Sequence, residues 1–399
     1  MRSKLYRGYM MTFERRRTMT IRTSAGLRLT VVATMAGAML FVAVGAEGQQ
    51  TAPRTLNMQA SWPASSTFME NFTLFADRVN KATGGRLQVK TSAAGTIVPA
   101  FEVTDATHKG VIDGAHTWSG YLIGKHPAAV LFTGGPGGPF GMDIFDHLGW
   151  FYDGGGQQLM DEWFETIIKR DVISLPVMPF APQMFGWFKQ PFKGWEDLKG
   201  RKMRAVGMNA QILSAAGASV VSMPGGEIVP AAQRGVVDAA EWCCPAEDVK
   251  LGFHTVWKYY YMPSMHEMTE VADLIISKAA WKSLSPEQQE IVKMAATETY
   301  LRWWLTYSRE NSKALAEMRT KQGVSVRRTP PDVLIKQLQT WDAIRDKFAK
   351  EDAFFAKVVE SQRAYAANVV PGRMAMFPAY SFSADYYWRP KPGAKANGK

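Results

Sequence analysis

Three separated pieces of this 399-residue chain carry residues whose chemistry fits together: Gln183 in Pro182-Gln-Met-Phe-Gly-Trp187, Arg204 in Lys202-Met-Arg-Ala205, and Glu241-Trp242 closing Gly235-Val-Val-Asp-Ala-Ala-Glu-Trp242. An arginine presents a rigid fork of donors suited to a carboxylate. A glutamate oxygen and a glutamine amide oxygen suit a hard cation. A tryptophan supplies an apolar wall with a single donor. Together they point to capture of a small organic acid with a bound metal ion. Glu241 ends an apolar run, where a buried carboxylate is costly unless a cation or a donor cluster meets it. Glu267, beside His266, is a weaker candidate of the same kind. Arg204 taken alone reads equally as a surface arginine or a structural ion pair. No nucleophile–base pair completes a catalytic set around these residues.

Other motifs carry less. Gly134-Gly-Pro-Gly-Gly138 lacks the Gly-Lys-Ser/Thr that completes a phosphate loop, and its prolines remove backbone donors, so it reads as a loop beside a cleft. None of the six histidines stands at metal-ligand spacing with another histidine or a cysteine. His116 reads as a packed or surface histidine, with a cleft-facing position at a strand end as the alternative. Cys243 and Cys244 are the only cysteines. They read as two small, partly buried side chains, with a vicinal disulfide as the alternative.

The elements that must position the set begin after a targeting segment. Residues 1–46 hold eight basic residues against one acid, Glu14, then an apolar run from Leu29 to Val44 and the small pair Gly45-Ala46. That order describes a cleaved secretory signal and an exported, periplasmic product. The leader carries most of the formal charge of +11, leaving about +4 on the remainder. No basic stripe is left that argues for nucleic acid.

Residues 54–62 alternate as a strand. Thr67-x-x-Glu70 reads as a capping box opening a helix with Phe68, Phe72, Phe75 and Val79 on one face, ended by Gly84-Gly85. Strands at 86–91 and 111–118 flank a short helix at 102–109, so the layout is α/β with a largely parallel sheet. Residues 171–180 form an apolar strand able to cross between lobes. Strands at 185–188, 203–206 and 236–241 alternate with helices from about 209 and 227–234. After a strand at 271–277, Ser285-Pro286-Glu287-Gln288 opens a long helix to about 322. Helices at 332–349 and 352–369 follow, the second stopping at Pro371-Gly372. The polar tail 389–399 has the composition of an unstructured end.

These pieces resemble the extracytoplasmic solute-binding subunits of TRAP transporters, the DctP-type receptors, and within them the branch that binds 2-oxo acids and lactate. The likeness rests on Gly114-Ala-His-Thr117 with Gly124-Lys-His-Pro127, Pro139-Phe-Gly-Met142, Tyr152-Asp-Gly-Gly-Gly156, Gln183 with Gly186-Trp-Phe188, Asp197-Leu-Lys-Gly-Arg-Lys-Met-Arg204 and Val237-Asp-Ala-Ala-Glu-Trp242. It covers about residues 55–370. The resemblance implies a two-lobe α/β periplasmic-binding-protein-like fold with hinge-crossing strands and C-terminal helices. Lobe I would comprise 54–177 and about 243–280, lobe II 178–242 and about 281–329, and the C-terminal helices 330–372.

The resemblance further implies that Arg204 grips a substrate carboxylate in two parallel bonds. A cation, Na⁺ or Ca²⁺, would be held by the Gln183 amide, the Glu241 carboxylate and the Trp242 carbonyl. Trp242, Trp118 and Tyr121 would wall the ligand, with Glu267 beside it. The receptor would deliver a monocarboxylate such as pyruvate or lactate to a TRAP membrane permease, without enzymatic chemistry, and would dimerise by swapping C-terminal helices. One departure stands out: Cys243-Cys-Pro-Ala-Glu-Asp248 follows the Glu-Trp pair where a Gly-Pro-Tyr-like run is common. That leaves a dicarboxylate or aromatic acid as an alternative ligand. An exported lyase or hydrolase using Glu241 and a cleft histidine is the alternative of a different class.

Overall fold

Residues 53–388 are described by the computed structural model; the expected signal segment 1–46 and tail 389–399 lie outside the described residues. Among the described residues eleven strands are formed: β1 (Arg54–Ala60), β2 (Leu87–Ser92), β3 (Gly114–Thr117), β4 (Val172–Pro179), β5 (Gly186–Phe188), β6 (Lys202–Arg204), β7 (Ser219–Val221), β8 (Ala239–Ala240), β9 (Tyr259–Met262), β10 (Val271–Ser277) and β11 (Ser325–Arg328). They build two sheets, ordered β2-β1-β3-β10-β4 and β11-β9-β5-β8-β6-β7. The apolar run of β10 is buried along its whole length because helices and neighbouring strands cover both its faces.

The sheets are mixed rather than largely parallel. β10 runs antiparallel to β3 and β4, and β5 antiparallel to β8 and β9. The reason lies in the connections. The chain leaves the first sheet after β4, builds β5 to β9 in the second, and returns to the first as β10. A strand that returns in this way enters from the opposite end. The piece 243–280, expected within one lobe, is therefore divided: β9 belongs to the second sheet and β10 to the first. The two links between the sheets at these points are residues 180–185 and 263–270.

The helix Phe68–Ala82 buries Phe68, Phe72, Phe75 and Val79, the face its spacing predicts. Its expected capping box is absent: Thr67 makes no side-chain cap bond, and its backbone N–H and hydroxyl both donate to Glu247. A tertiary carboxylate has displaced the local cap. The long helix Pro286–Thr320 does carry its box, with Ser285 and Gln288 paired reciprocally. It packs on β4 and on the Phe68–Ala82 helix, so this part of 281–329 covers the first sheet, and only β11 joins the second.

Two helices follow, Pro331–Glu351 and Ala353–Met376. The second runs through Pro371 rather than stopping there. A proline removes one donor and crowds the preceding turn but does not force an exposed terminal stretch to end. A further helix, Tyr380–Trp388, has no buried residue. Among the described residues no helix is long and apolar enough to cross a membrane.

Candidate functional site

Arg204 ends β6, between Val221 of β7 and Ala240 of β8. Alternation along the strand sends Met203 and Arg204 to opposite faces, and both are fully buried. The guanidinium plane is set by backbone: Nε donates to the Met223 carbonyl at 3.1 Å and Nη1 to the Glu241 carbonyl at 2.7 Å. Its carbon lies 5.0 Å from the Trp242 ring centroid. Nη2 is buried without a hydrogen-bond partner. The Glu241 carboxylate lies 3.7 Å from Nη1, in contact but outside hydrogen-bond range. The two residues after β8 thus place a carboxylate and an indole on the arginine.

The inter-sheet links close the polar side. Gln183 in the first link takes the Glu267 carbonyl through its backbone N–H at 2.9 Å and donates its side-chain amide to Glu270 at 2.9 Å. That leaves Gln183 Oε1 and Glu270 Oε1 buried and unpaired. Glu241, His266 and Glu267 each offer an atom within 4.8 Å of the others. His266 has its Nδ1 on the Ser264 hydroxyl, and burial lowers its pKa to about 3.

The opposite wall comes from the first sheet. Trp62 and Phe68 follow β1, Trp118 and Tyr121 follow β3, and Phe180 follows β4. With Gln183, Arg204, Val206, Glu241, Trp242, Glu267 and Glu270 they line one cavity. The Trp118 ring crosses to the second sheet's elements at Gly207, whose φ is +58° and where a Cβ would sit 2.6 Å from the indole. Any side chain there would push the two walls apart.

All seven sequence-derived candidates therefore line the same cavity: Gln183, Arg204, Glu241, Trp242, Trp118, Tyr121 and Glu267. His116 does not join them. Its ring nitrogens are held by the Trp62 indole at 2.7 Å and the Asn71 amide oxygen at 2.8 Å, and burial lowers its pKa to about 3. Sequence reasoning missed Glu270, Trp62, Phe68, Phe180 and Val206. The signal for Glu270 was available in Glu267-Met-Thr-Glu270, two carboxylates directly before the fully buried β10.

Electrostatically the site is short of positive charge. Burial pushes the Glu241 carboxyl above its usual range, and Arg204 only partly opposes this. Burial, reinforced by the charge of Glu241, pushes Glu267 well up; burial and Glu267 do the same to Glu270. Three buried carboxyls face one guanidinium, with acceptor oxygens unpaired on Gln183 and Glu270. This donor set fits a hard cation. The free Arg204 Nη2 fits an anion beside it.

Behind the cavity, Glu247 accepts from Ser66 Oγ at 2.7 Å, from the Thr67 backbone N–H at 2.7 Å and hydroxyl, and from the Trp242 indole at 3.1 Å. It ties Trp242 to the start of the Phe68–Ala82 helix. Cys243 and Cys244 are fully buried and joined as a vicinal disulfide, the alternative reading of the sequence.

A model of the DctP family, described as bacterial extracellular solute-binding protein, family 7, matches residues 58–352. The chain is 36% identical over 313 residues to a monocarboxylate 2-oxoacid-binding periplasmic protein of Nostoc sp., covering 78% of this chain and 84% of that one. A TRAP transporter solute-binding protein of Bordetella bronchiseptica, a dimer with calcium and picolinate, superposes with a TM-score of 0.79 at 27% identity, covering 84% of this chain and 99% of that one. One from Pseudoalteromonas atlantica with sodium and pyruvate gives 0.77 at 28% identity, covering 83% and 99%. One from Colwellia psychrerythraea with calcium and pyruvate gives 0.76 at 27%, covering 83% and 100%. The chain belongs to the DctP family and is a solute-binding receptor of the TRAP type.

Proposed function

We propose that this DctP-family receptor captures a short 2-oxo or 2-hydroxy monocarboxylate, of the size of pyruvate or lactate, together with Na⁺ or Ca²⁺. The observation that carries the reading is the orphaned set at the cavity: Arg204 Nη2, Gln183 Oε1 and Glu270 Oε1 are buried without partners. Buried polar groups are normally paired, so a ligand that pairs them recovers the free energy of burial. Arg204, with Nε and Nη1 already on carbonyls, offers Nη2 to the ligand carboxylate. Gln183, Glu241 and the Trp242 carbonyl hold the cation. Bound there, the cation supplies positive charge for the ligand oxygens and offsets the excess of carboxylates. Trp118, Tyr121, Trp62, Phe68, Phe180 and Val206 exclude water and limit the ligand's length. Glu267 and Glu270 sit beside the cation ligands and accept from ligand or amide donors. The 2-oxo acids and cations of the similar receptors support this reading.

Loaded receptor then delivers its acid to a TRAP membrane permease, the segment 1–46 being removed on export. The exposed aromatics of Tyr380–Trp388, including Phe382, Tyr386, Tyr387 and Trp388, bury against a second copy; the Ala353–Met376 helix already spends Phe354, Phe355, Val358 and Val359 on its own chain. Sedimentation of a chain lacking residues 379–399 tests this: a dimer that persists unchanged contradicts it.

The test of the site is Arg204→Ala in titration calorimetry with pyruvate and calcium. Removing the arginine leaves a buried carboxylate unpaired, a cost of several kcal/mol. Binding as tight as wild type would overturn the assignment.

A further inference from the structure

The segment 263–270, which carries Glu267 and Glu270, has no helix or strand of its own. Its carbonyls also fix the other link, since Phe180 N–H donates to the Glu270 carbonyl at 2.9 Å and Gln183 N–H to that of Glu267 at 2.9 Å. Whatever holds 263–270 therefore holds two site carboxyls and the Gln183 backbone. The holding groups come from outside both sheets.

Gln337 lies on the Pro331–Glu351 helix and is fully buried. Its Oε1 accepts from the Met265 backbone N–H at 3.1 Å and from Ser264 Oγ at 3.2 Å; its Nε2 lies 3.0 Å from the same hydroxyl. Ser264 in turn holds the His266 ring through Nδ1. The glycine-proline loop completes the support: Gly137 N–H donates to the Met265 carbonyl at 2.8 Å, and Thr269 Oγ1 to the Gly134 carbonyl at 3.3 Å. Gly134 has a φ of +115°, and a Cβ there would strike the Thr269 carbonyl, so only glycine lets the loop close on the segment. That loop is itself clamped by the C-terminal helices, with Arg363 4.5 Å and Arg345 5.3 Å from the Phe140 ring centroid.

We propose that Gln337 is a positioning residue for the ligand site: through Ser264 and Met265 it sets the segment that aims Glu267 and Glu270, so ligand affinity depends on a side chain of the C-terminal helices. It touches no ligand in this account. The inference rests on the cavity being the binding site. A residue one layer behind a metal or ligand contact typically changes affinity by 10–100-fold.

The C-terminal pair contains its own control. Gln362, on the Ala353–Met376 helix, is also buried and donates to the Leu131 carbonyl at 2.6 Å; it lies beside Gly135 and Pro136 of the loop but its side-chain bond is not to Ser264 or Met265. The experiment compares Gln337→Leu, Ser264→Ala and Gln362→Leu by thermal melting and by calorimetry, titrating calcium alone and then pyruvate in excess calcium. All three lose thermal stability. The expected result is that Gln337→Leu and Ser264→Ala weaken calcium or pyruvate binding by about tenfold or more while Gln362→Leu binds as wild type. Should Gln337→Leu fail to fold, Ser264→Ala alone decides. Wild-type affinity in a folded Gln337→Leu or Ser264→Ala, or an equal loss in Gln362→Leu, overturns the positioning role. A wild-type protein that binds neither probe overturns the site reading beneath it instead, so the two failures are distinct.

Discussion

Two groups of buried carboxylates are treated in opposite ways. Glu247 and Asp248 are saturated. Glu247 meets Ser66, Thr67 and Trp242, and Asp248 accepts from the Trp187 indole at 2.8 Å, the Tyr260 hydroxyl at 3.0 Å and the Cys243 N–H at 3.2 Å. Glu241 and Glu270 are starved. Glu241 has one long hydrogen bond of 3.5 Å from Asn209 and the 3.7 Å ion contact of Arg204 Nη1, and Glu270 keeps one oxygen unpaired. Burial alone does not separate a ligand-binding acid from a structural one, since all four are buried. Satisfaction does: a saturated carboxylate fastens two pieces of chain, and a starved one awaits a cation or donor from outside.

The comparison is most exposed to Glu241→Gln. If Glu241 awaits a cation, losing its charge should weaken calcium binding about 100-fold, roughly 3 kcal/mol. Folding stability should hold or rise, because an underpaired buried charge has gone. A large drop in melting temperature would place Glu241 with the structural acids instead. The mirror experiment is Glu247→Ala. It strands donors at Ser66, Thr67 and Trp242 and uncaps the Phe68–Ala82 helix, so unfolding in urea should show a loss of about 3 kcal/mol. Calcium affinity should fall far less than in Glu241→Gln; an equal fall would erase the distinction.

A smaller effect sharpens the comparison through pH. Asp273 on β10 accepts from the Ser119 N–H at 3.0 Å and the Ser174 hydroxyl at 3.3 Å. Burial raises its pKa from 3.8 to about 6. The folded chain therefore binds the proton more tightly than the unfolded one. Its contribution to stability is highest below the unfolded value and declines as pH rises from about 4 through 6, by about 2 to 3 kcal/mol. Asp273→Asn removes the charge and should reduce the overall decline by about that amount, leaving the part due to Asp248, whose pKa burial raises from 3.8 to about 7. Urea midpoints at pH 4.5 and 8 without added cation measure it, and an unchanged decline in the variant would show that the donors already neutralise the cost.

The polar half of the site was legible because its residue types are anomalous where they stand. Glu241 ends an apolar run and resists a reading as ordinary surface; Arg204, ambiguous alone, gains its meaning beside Gln183 and Glu241-Trp242. The aromatic half was less legible. Trp62 and Phe68 satisfy the periodicity of a core stripe, and nothing local says that the stripe borders a cavity. Thr67 fits a capping box in every local respect, yet its acceptor is Glu247, 180 residues away. The division of 243–280 between the sheets was hidden for the same reason: pairing of β9 with β5 and of β10 with β3 is decided by distant partners. Local rules found the elements and the odd residues, while long-range competition chose their partners.

The measurement that bears most directly on the central claim is calorimetric titration of pyruvate into chelator-stripped protein, repeated after calcium is restored. Restored protein should bind the acid tightly and stripped protein should bind it at least about tenfold more weakly, because the cation answers the unpaired oxygens beside Arg204. Equal affinity in both states, or no binding of any short monocarboxylate with calcium or sodium present, would contradict the account.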